Sequence, residues 1–221
     1  MATAPAVRPV PVVRSLLAPA AYMCGLTFAE GLLWHSDQDA GKIFAIEPAC
    51  GAVVRTLDCP RVRADLTWHD GLLCQVGGRP KRLLLVHPET GEIVEERQVA
   101  PPGGRLCGVE AGPEGVWMCL RAPAVVQLRD FATMTVRREH PVEGAPSGLT
   151  HVAGIVLYSE FEAATVRAVD AATGRPRGAV RVEGRPTGLT WDGYQLWYCD
   201  FEARRVKSVR LDDVLNGTYR N

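Results

Sequence analysis

The sequence predicts an all-β fold, a five-bladed β-propeller with four antiparallel strands in each blade. Two observations support this prediction. Five short segments recur at nearly constant intervals, and each interval holds four strand-like runs separated by turn residues. A period of about 40 residues with four strands is typical of a propeller blade. A solenoid of similar period is expected to carry a helix or a single strand per repeat and polar end caps, and the sequence shows neither.

The recurring segments mark the first strand of each repeat. Their first residues lie 40, 43, 40 and 40 positions apart. The segments are Gly25-Leu26-Thr27-Phe28, Asp65-Leu66-Thr67-Trp68, Gly108-Val109-Glu110-Ala111, Gly148-Leu149-Thr150-His151 and Gly188-Leu189-Thr190-Trp191. We therefore expect a single propeller domain over residues 1–221, with repeats starting near residues 25, 65, 108, 148 and 188.

The other strands of each repeat follow one plan, and we name the four strands A to D from the axis outward. Strand B is an apolar run after a turn, as in Leu196-Trp197-Tyr198. Strand C follows, as in residues 82–86, and ends at a tight turn such as Pro88-Glu89-Thr90-Gly91. Strand D is more polar, as in residues 93–99. Short runs separated by Gly, Pro, Asp and Asn favour antiparallel sheet.

The two ends of the chain are expected to meet in one blade. Repeat four places its strand D near Val180, and the same offset in repeat five falls on Arg220, where the sequence stops. The run Val10 to Leu17 has no repeat of its own, so we predict that it pairs with strand C of repeat five, Val206 to Val209. Such pairing closes the ring without an unpaired edge, and prolines 9 and 11 are tolerated because strand D is an edge strand.

Composition excludes several classes of function. The chain carries 25 basic and 25 acidic residues, which gives no electrostatic basis for binding nucleic acid or an anionic membrane. No apolar run reaches the roughly 18 residues of a membrane span. The start of the chain has prolines where a signal peptide needs an apolar stretch, so we expect a cytoplasmic protein. Seven cysteines with no C-x-x-C pair predict reduced thiols.

One face of the propeller is the predicted binding face. Strands alternate in direction, so the starts of the A strands and the ends of the B strands meet near the axis at the same face. The start-of-A column holds Cys24, Ala64, Cys107, Ser147 and Thr187; the end-of-B column holds Ser36, Val76, Cys119, Ser159 and Cys199; the next column holds Asp37, Gly77, Leu120, Glu160 and Asp200. The turns at the other face resemble ordinary connectors.

Four of the seven cysteines fall in these columns: Cys24, Cys107, Cys119 and Cys199. One interpretation is a thiolate nucleophile or a soft-metal site around the channel. The other is that a crowded corner between strands A and B favours small side chains, since Ser, Thr and Ala fill the same columns. The pattern favours the second interpretation.

His35 and Asp37 close strand B of repeat one. A histidine beside Asp37 and Cys24 is a candidate general base or ligand, although a histidine at a blade end is more often held by a structural hydrogen bond. Asp65 replaces the glycine of its column, and Glu110 replaces the threonine of its column. A carboxylate near the axis requires a partner, and Arg63 and Arg121 are the expected ones.

Repeats four and five share a segment of the form S/C-[DE]-F-E. It contains Glu160 and Glu162 in one repeat and Asp200 and Glu202 in the other. We interpret most of these carboxylates as solvated loop residues, and we keep Glu160 and Asp200 as candidate binding residues because they lie at the predicted face. The tryptophans of the strand columns are expected to pack between blades.

The block Tyr22-Met23-Cys24-Gly25-Leu26-Thr27-Phe28, followed by Gly31-Leu32-Leu33-Trp34-His35-Ser36, resembles the opening of the plant-type glutaminyl cyclotransferases. Those are five-bladed propellers whose block runs roughly Y-T-Q-G-L-x-F and then G-x-L-Y-E-S. The resemblance implies five blades and a site at the channel mouth. The family's glutamine falls on Cys24 and its acidic catalytic position on His35, so no matching residue is present to perform that cyclisation.

The leading hypothesis is an enzyme acting on a small polar molecule at the channel mouth. Its candidate catalytic residues are Cys24, His35 and Asp37, and its candidate binding residues are Asp65, Cys107, Glu110, Cys119, Arg121, Glu160, Cys199 and Asp200. The alternatives are a non-catalytic propeller that binds a ligand or a protein, and a thiol-based metal-binding protein. The sequence identifies no cofactor and leaves the reaction and the oligomeric state open.

Overall fold

Five four-stranded antiparallel sheets surround a common axis in the computed structural model of the chain, which describes residues 7–99 and 105–217. The predicted five-bladed β-propeller is therefore confirmed. In each blade the strands are hydrogen-bonded in the order A, B, C and D, and the chain runs from one blade to the next.

The strand bounds follow the repeat plan. Blade one contains β3 (Met23–Ala29), β4 (Leu32–Asp37), β5 (Lys42–Ile46) and β6 (Val53–Asp58). Blade two contains β7 (Val62–His69), β8 (Leu72–Gly77), β9 (Arg82–Val86) and β10 (Ile93–Gln98). Blade three contains β11 (Leu106–Gly112), β12 (Gly115–Arg121), β13 (Ala124–Arg129) and β14 (Val136–Pro141). Blade four contains β15 (Pro146–Val152), β16 (Ile155–Glu160), β17 (Thr165–Asp170) and β18 (Pro176–Arg181). Blade five contains β19 (Pro186–Trp191), β20 (Leu196–Asp200), β21 (Arg205–Val209) and, as its outer strand, β2 (Arg14–Leu17).

The N-terminal strand closes the ring as predicted, but it is shorter than the predicted run from Val10 to Leu17. Strand β2 pairs antiparallel with β21, and Leu16 lies opposite Val206. The preceding β1 (Arg8–Pro9) instead lies parallel to β18 as a fifth strand of blade four. The run is divided at Pro11, which has no N–H to donate to a ladder. Arg220, the predicted end of repeat five, lies outside the described residues.

A short helix, α1 (Leu211–Leu215), follows β21 and packs against blade four through Val214. Within residues 7–99 and 105–217, no helix is long and apolar enough to cross a membrane.

The apolar core is distributed between the blades rather than collected at one centre. Each of five clusters of buried side chains joins two neighbouring blades. For example, Trp34 of blade one stacks on Trp68 of blade two with ring centroids 6.2 Å apart. Both faces of an inner strand are covered by neighbours, which explains why the B strands are continuous apolar runs rather than alternating ones.

Glycines near the axis let the A strands approach one another. A Cβ atom added at Gly148 would lie 2.3 Å from the carbonyl oxygen of Thr187, and one added at Gly188 would lie 2.5 Å from the amide nitrogen of Leu26. These distances are too short for any side chain, so these two positions of the column require glycine.

Candidate functional site

The face where the A strands begin holds a cleft of about 780 Å³, which we call the mouth. The side chains of the start-of-A column all line it: Cys24, Ala64, Cys107, Ser147 and Thr187. On the opposite face, a cleft between blades two and three around His69 and Phe131 has a volume of about 520 Å³. The volume of the mouth lies within the range of small-molecule pockets, about 300–1,000 Å³.

Five cations contributed by blades two and three line one side of the mouth, and we call them the cationic wall: Arg63, Arg79, Lys81, Arg105 and Arg121. The Nε atom of Arg121 donates to the carbonyl oxygen of Pro146 at 2.9 Å, and its guanidinium also contacts Oγ of Ser147 at 3.1 Å. The Nζ atom of Lys81 donates to the carbonyl oxygen of Leu106 at 2.6 Å. These bonds hold two of the five charges in place.

No carboxylate among the described residues neutralises the positive charge of the wall. Glu162 is the one carboxylate among the described residues that line the mouth, and it already lies 3.8 Å from the guanidinium of Arg185. Among the described residues, none of the five wall cations lies within ion-pair distance of a carboxylate. Burial lowers the pKa of Lys81, and the charges of Arg105 and Arg121 add to this effect.

Three aromatic side chains stand on the other side of the mouth, and we call them the aromatic wall: Tyr22, Phe161 and Phe201. They come from blades one, four and five and line the same cleft. The ring of Phe201 meets Tyr22 edge-to-face at 5.1 Å and Phe161 edge-to-face at 5.6 Å between centroids. Such contacts fix the rings relative to one another and leave an apolar surface at the rim.

Cys24 and Cys107 line the mouth as protonated thiols. The Sγ atom of Cys24 donates to the carbonyl oxygen of Tyr22, and that of Cys107 to the carbonyl oxygen of Arg105. Burial raises the pKa of Cys24 to about 12, and burial likewise raises the pKa of Cys107. A thiol with a raised pKa is a weak nucleophile and a poor metal ligand at neutral pH.

Cys119 and Cys199 lie fully buried beneath the mouth and do not line it. Cys119 packs between blades three and four, and Cys199 between blades five and one. Among the described residues, no three His, Cys, Asp or Glu side chains come close enough together to hold a metal ion.

His35 is also fully buried, behind strand A of blade one. Its Nδ1 atom lies 3.3 Å from the carbonyl oxygen of Gly25 and 3.9 Å from Sγ of Cys199, and its ring stacks on Phe44. Burial lowers the pKa of His35 to about 4. The structure therefore brings His35 to Cys199, and neither side chain lines the mouth.

Asp37, Glu160 and Asp200 occupy one column of the repeat. Each carboxylate accepts a hydrogen bond from a backbone amide in a segment that connects two strands. Oδ1 of Asp37 accepts the amide of Ala40 at 2.7 Å. Oε1 of Glu160 accepts the amide of Ala145 at 3.1 Å, and Oδ1 of Asp200 accepts the amide of Arg185 at 3.0 Å.

The interpretation of most of the four carboxylates in the shared segments of repeats four and five as solvated loop residues does not hold for Glu160 and Asp200, which are buried and have cationic partners, Arg167 and Lys207 respectively. Glu162 and Glu202 are exposed, as predicted. The difference follows from position, since the first acid of each segment ends a buried strand and the second lies in the turn.

Asp65 lies at the axis and is fully buried. Its Oδ1 atom accepts the amides of Leu26 and Leu66, both at 3.1 Å, and its Oδ2 atom accepts those of Leu149 at 3.3 Å and Val109 at 3.4 Å. One carboxylate thus joins four blades. Burial raises the pKa of Asp65, and the four amide donors oppose that rise.

The expected ion pair between Asp65 and Arg63 is not formed, because backbone amides supply the partners of Asp65 and Arg63 contacts the carbonyl oxygen of Val62. Glu110, two positions deeper along its A strand, does not pair with Arg63 or Arg121 either. Its Oε2 atom accepts the hydroxyl of Thr67 at 3.3 Å, and burial with the nearby Asp65 raises its pKa. Glu110 does not line the mouth.

The structure brings together three of the residues singled out from the sequence, Cys24, Cys107 and Arg121, in the lining of the mouth. Sequence reasoning missed most of the cationic wall and all of the aromatic wall. Both sit largely in connections between strands, where the repeat is irregular. The two phenylalanines of the aromatic wall nevertheless occupy equal positions in the shared segments of repeats four and five, which is a signal in the sequence.

Comparison with known proteins places the fold but not the family. No family model and no curated protein match the chain. Its fold is similar to that of glutaminyl cyclase from Myxococcus xanthus, with a TM-score of 0.67 over 92% of this chain and 98% of that chain at 14% identity. A chain of the nidogen/laminin complex gives a TM-score of 0.63 over 88% of this chain and 78% of that chain at 16% identity. A catalytically inactive virginiamycin B lyase from Staphylococcus aureus, solved with quinupristin, gives 0.54 over 87% and 67% at 15% identity. Similar folds thus occur both in enzymes and in the nidogen/laminin complex.

Proposed function

We propose that this propeller binds a small organic molecule in the mouth. The observation that carries the proposal is the composition of the cleft. In about 780 Å³ it combines an aromatic wall with a cationic wall that has no carboxylate partner within residues 7–99 and 105–217. Sites for small molecules typically have this size, an apolar part and a few convergent polar groups. The mouth also lies at the face that the repeat pattern predicts.

Catalysis in the same cleft is the second candidate, and Lys81 is the observation that favours it. Its amine lines the mouth, and its lowered pKa increases the fraction of neutral amine that can take up a proton or attack a carbonyl carbon. Two of the similar folds belong to enzymes, a glutaminyl cyclase and a virginiamycin B lyase. Binding is the stronger proposal because the two thiols that line the mouth, Cys24 and Cys107, have raised pKa values and are therefore weak nucleophiles.

Joint action of Cys24, His35 and Asp37 stays a prediction of the sequence. In the structure Cys24 lines the mouth, whereas the other two side chains are fully buried. Their direct use in catalysis therefore requires a ligand that reaches beneath strand A.

Crystals soaked with a library of neutral and charged fragments test the proposal. We expect bound fragments to concentrate in the mouth, and replacing Ala64 by Trp to abolish their binding by filling the floor of the cleft. The matched control is His87→Trp, at a turn on the opposite face. Fragments that cluster around His69 and Phe131, with none in the mouth, would show that the wrong face has been chosen.

A further inference from the structure

The geometry points to a specific class of ligand, an organic anion that carries a flat apolar ring. This inference rests on the proposed function and narrows it. The anionic group, a carboxylate or a phosphate, is expected to meet the cationic wall, while the ring lies against the aromatic wall.

The first argument is the asymmetry of charge. The whole chain has no net charge, yet blades two and three direct five cations toward one cleft whose single described carboxylate is already paired. Like charges gathered in a cleft with partly apolar walls repel one another more strongly than they would in open water. An anionic ligand removes that repulsion, whereas a cationic ligand increases it.

The second argument is that one guanidinium of the wall is held in a fixed plane. Arg121 is held by Pro146 and Ser147 through one edge of its guanidinium, which fixes the plane of the group. A planar guanidinium fixed in this way is suited to a carboxylate or phosphate.

The third argument is the position of the aromatic wall. Its rings come from blades one, four and five, so they face the cationic wall across the cleft. The Tyr22, Phe161 and Phe201 rings are locked by edge-to-face contacts and present apolar surface to the mouth. A ligand that spans the cleft therefore needs charge at one end and a ring at the other.

Four probes separate the two requirements in calorimetric titrations at low salt. They are 1-naphthaleneacetate, its neutral analogue 1-naphthaleneacetamide, 1-naphthyl phosphate, and acetate, which has the charge without the ring. We expect the two naphthyl anions to bind at least about tenfold more tightly than the amide, since a hydrogen bond to a charged group contributes that much. We expect a similar advantage over acetate, because acetate lacks the ring that is buried against the aromatic wall. Their affinity should fall as salt is added. Comparison of 1-naphthaleneacetate with 1-naphthyl phosphate shows which anionic group is preferred.

Variants then assign the effect to each wall. Arg121→Gln should remove most of the preference for naphthaleneacetate over the amide, and Arg121→Lys should restore only part of it. Phe161→Ala should weaken both naphthyl probes by a similar factor and leave the preference for charge intact. Arg175→Gln, an exposed arginine beside a turn of the opposite face, is the control and should change neither.

Two results would overturn the inference. If the amide binds as tightly as the carboxylate, or if none of the four probes binds, the ligand is not an aromatic anion. Fragments in the mouth would still support the proposed function in either case. An empty mouth in the fragment experiment would instead remove the proposed function itself.

Discussion

Asp65 shows how one residue that departs from the repeat can serve the fold rather than the ligand. The other four members of its column are glycines, and all four closely approach the backbone of the next blade. In blade two, β7 and β8 are out of register between Val62 and Leu66, next to Asp65. Its two oxygens then satisfy four inward-facing amides, which would otherwise be buried without partners.

Replacing Asp65 by Asn should therefore destabilise the protein. The new amide group would direct its own N–H bonds at two backbone N–H donors, so two hydrogen bonds are lost inside the axis. We expect the free energy of unfolding to fall by about 3 kcal/mol. Urea denaturation of the variant measures this, with the exposed Asp39→Asn as the control. A change below about 0.5 kcal/mol would mean that Asp65 does not join the blades.

His35 predicts a dependence of stability on pH. Its pKa is about 4 in the folded protein, against an ordinary value of 6.5. Between these pH values the unfolded chain binds more protons than the folded one. The contribution of His35 to the free energy of unfolding is therefore fully present above about pH 6.5 and is lost as the pH falls toward 4. The contribution of His35 is about 3 kcal/mol between pH 7 and pH 4.

Glutamine is the natural replacement, since Gln75 occupies the same column in blade two. In the His35→Gln variant, urea denaturation at pH 7 and pH 4 should show a loss of stability smaller by about 3 kcal/mol than in the unchanged protein. His87→Gln controls for the removal of a histidine elsewhere. An unchanged difference between the two pH values in His35→Gln would contradict the assignment.

At the scale of single residues, the sequence predicted where side chains lie better than it predicted their protonation states and hydrogen-bond partners. The start-of-A column was correctly placed around the channel, because the repeat fixes which residues are equivalent. That Cys24 and Cys107 keep their protons could not be predicted, since the pKa of a thiol depends on burial and on neighbours from other blades. The partners of Asp65 were missed for the same reason, because they are backbone amides.

At the scale of elements, closure by β2 was predictable because strand D was missing from one repeat and an unassigned run stood at the other end. Pro11 was the signal in the sequence for the split of that run into β1 and β2, because proline has no N–H to donate to a ladder. The bulges of the A strands were not, because they depend on how each strand meets the axis.

Deleting residues 1–17 should lower the melting temperature by about 10 °C or more. The deletion removes the ladder between β2 and β21 and, with it, the side chain of Leu16, which packs against the cluster between blades five and one. The loss of several hydrogen bonds and one apolar contact corresponds to roughly 4 kcal/mol. Deleting only residues 1–6 is the control. Equal melting temperatures for the full chain and the longer deletion would exclude closure by β2.

At the scale of the whole molecule, five-fold repetition explains the fold, and departures from it form the candidate site. The blades share a core plan, but blades two and three supply the cations of the mouth while blades one, four and five supply its rings. The repeat could be predicted because spacing and strand pattern recur five times. The walls could not, because each lies mainly in connections that differ from one repeat to the next.

The seven cysteines provide a test that depends on the whole molecule, because their reactivity reports both redox state and burial. All seven are free thiols in the structure; Cys50 is exposed, Cys24 is half-buried, and the other five are buried. Reaction with a thiol reagent depends on exposure and on the fraction of thiolate. Without reductant, we expect the native protein to show one fast thiol, Cys50, and a much slower Cys24, whose pKa is raised to about 12. The Cys50→Ser variant should lose the fast phase alone, and denaturation should release seven thiols from the unchanged protein. A count of five after denaturation would reveal a disulfide, and several fast thiols in the native state would show that the blades do not protect their cysteines as the structure requires.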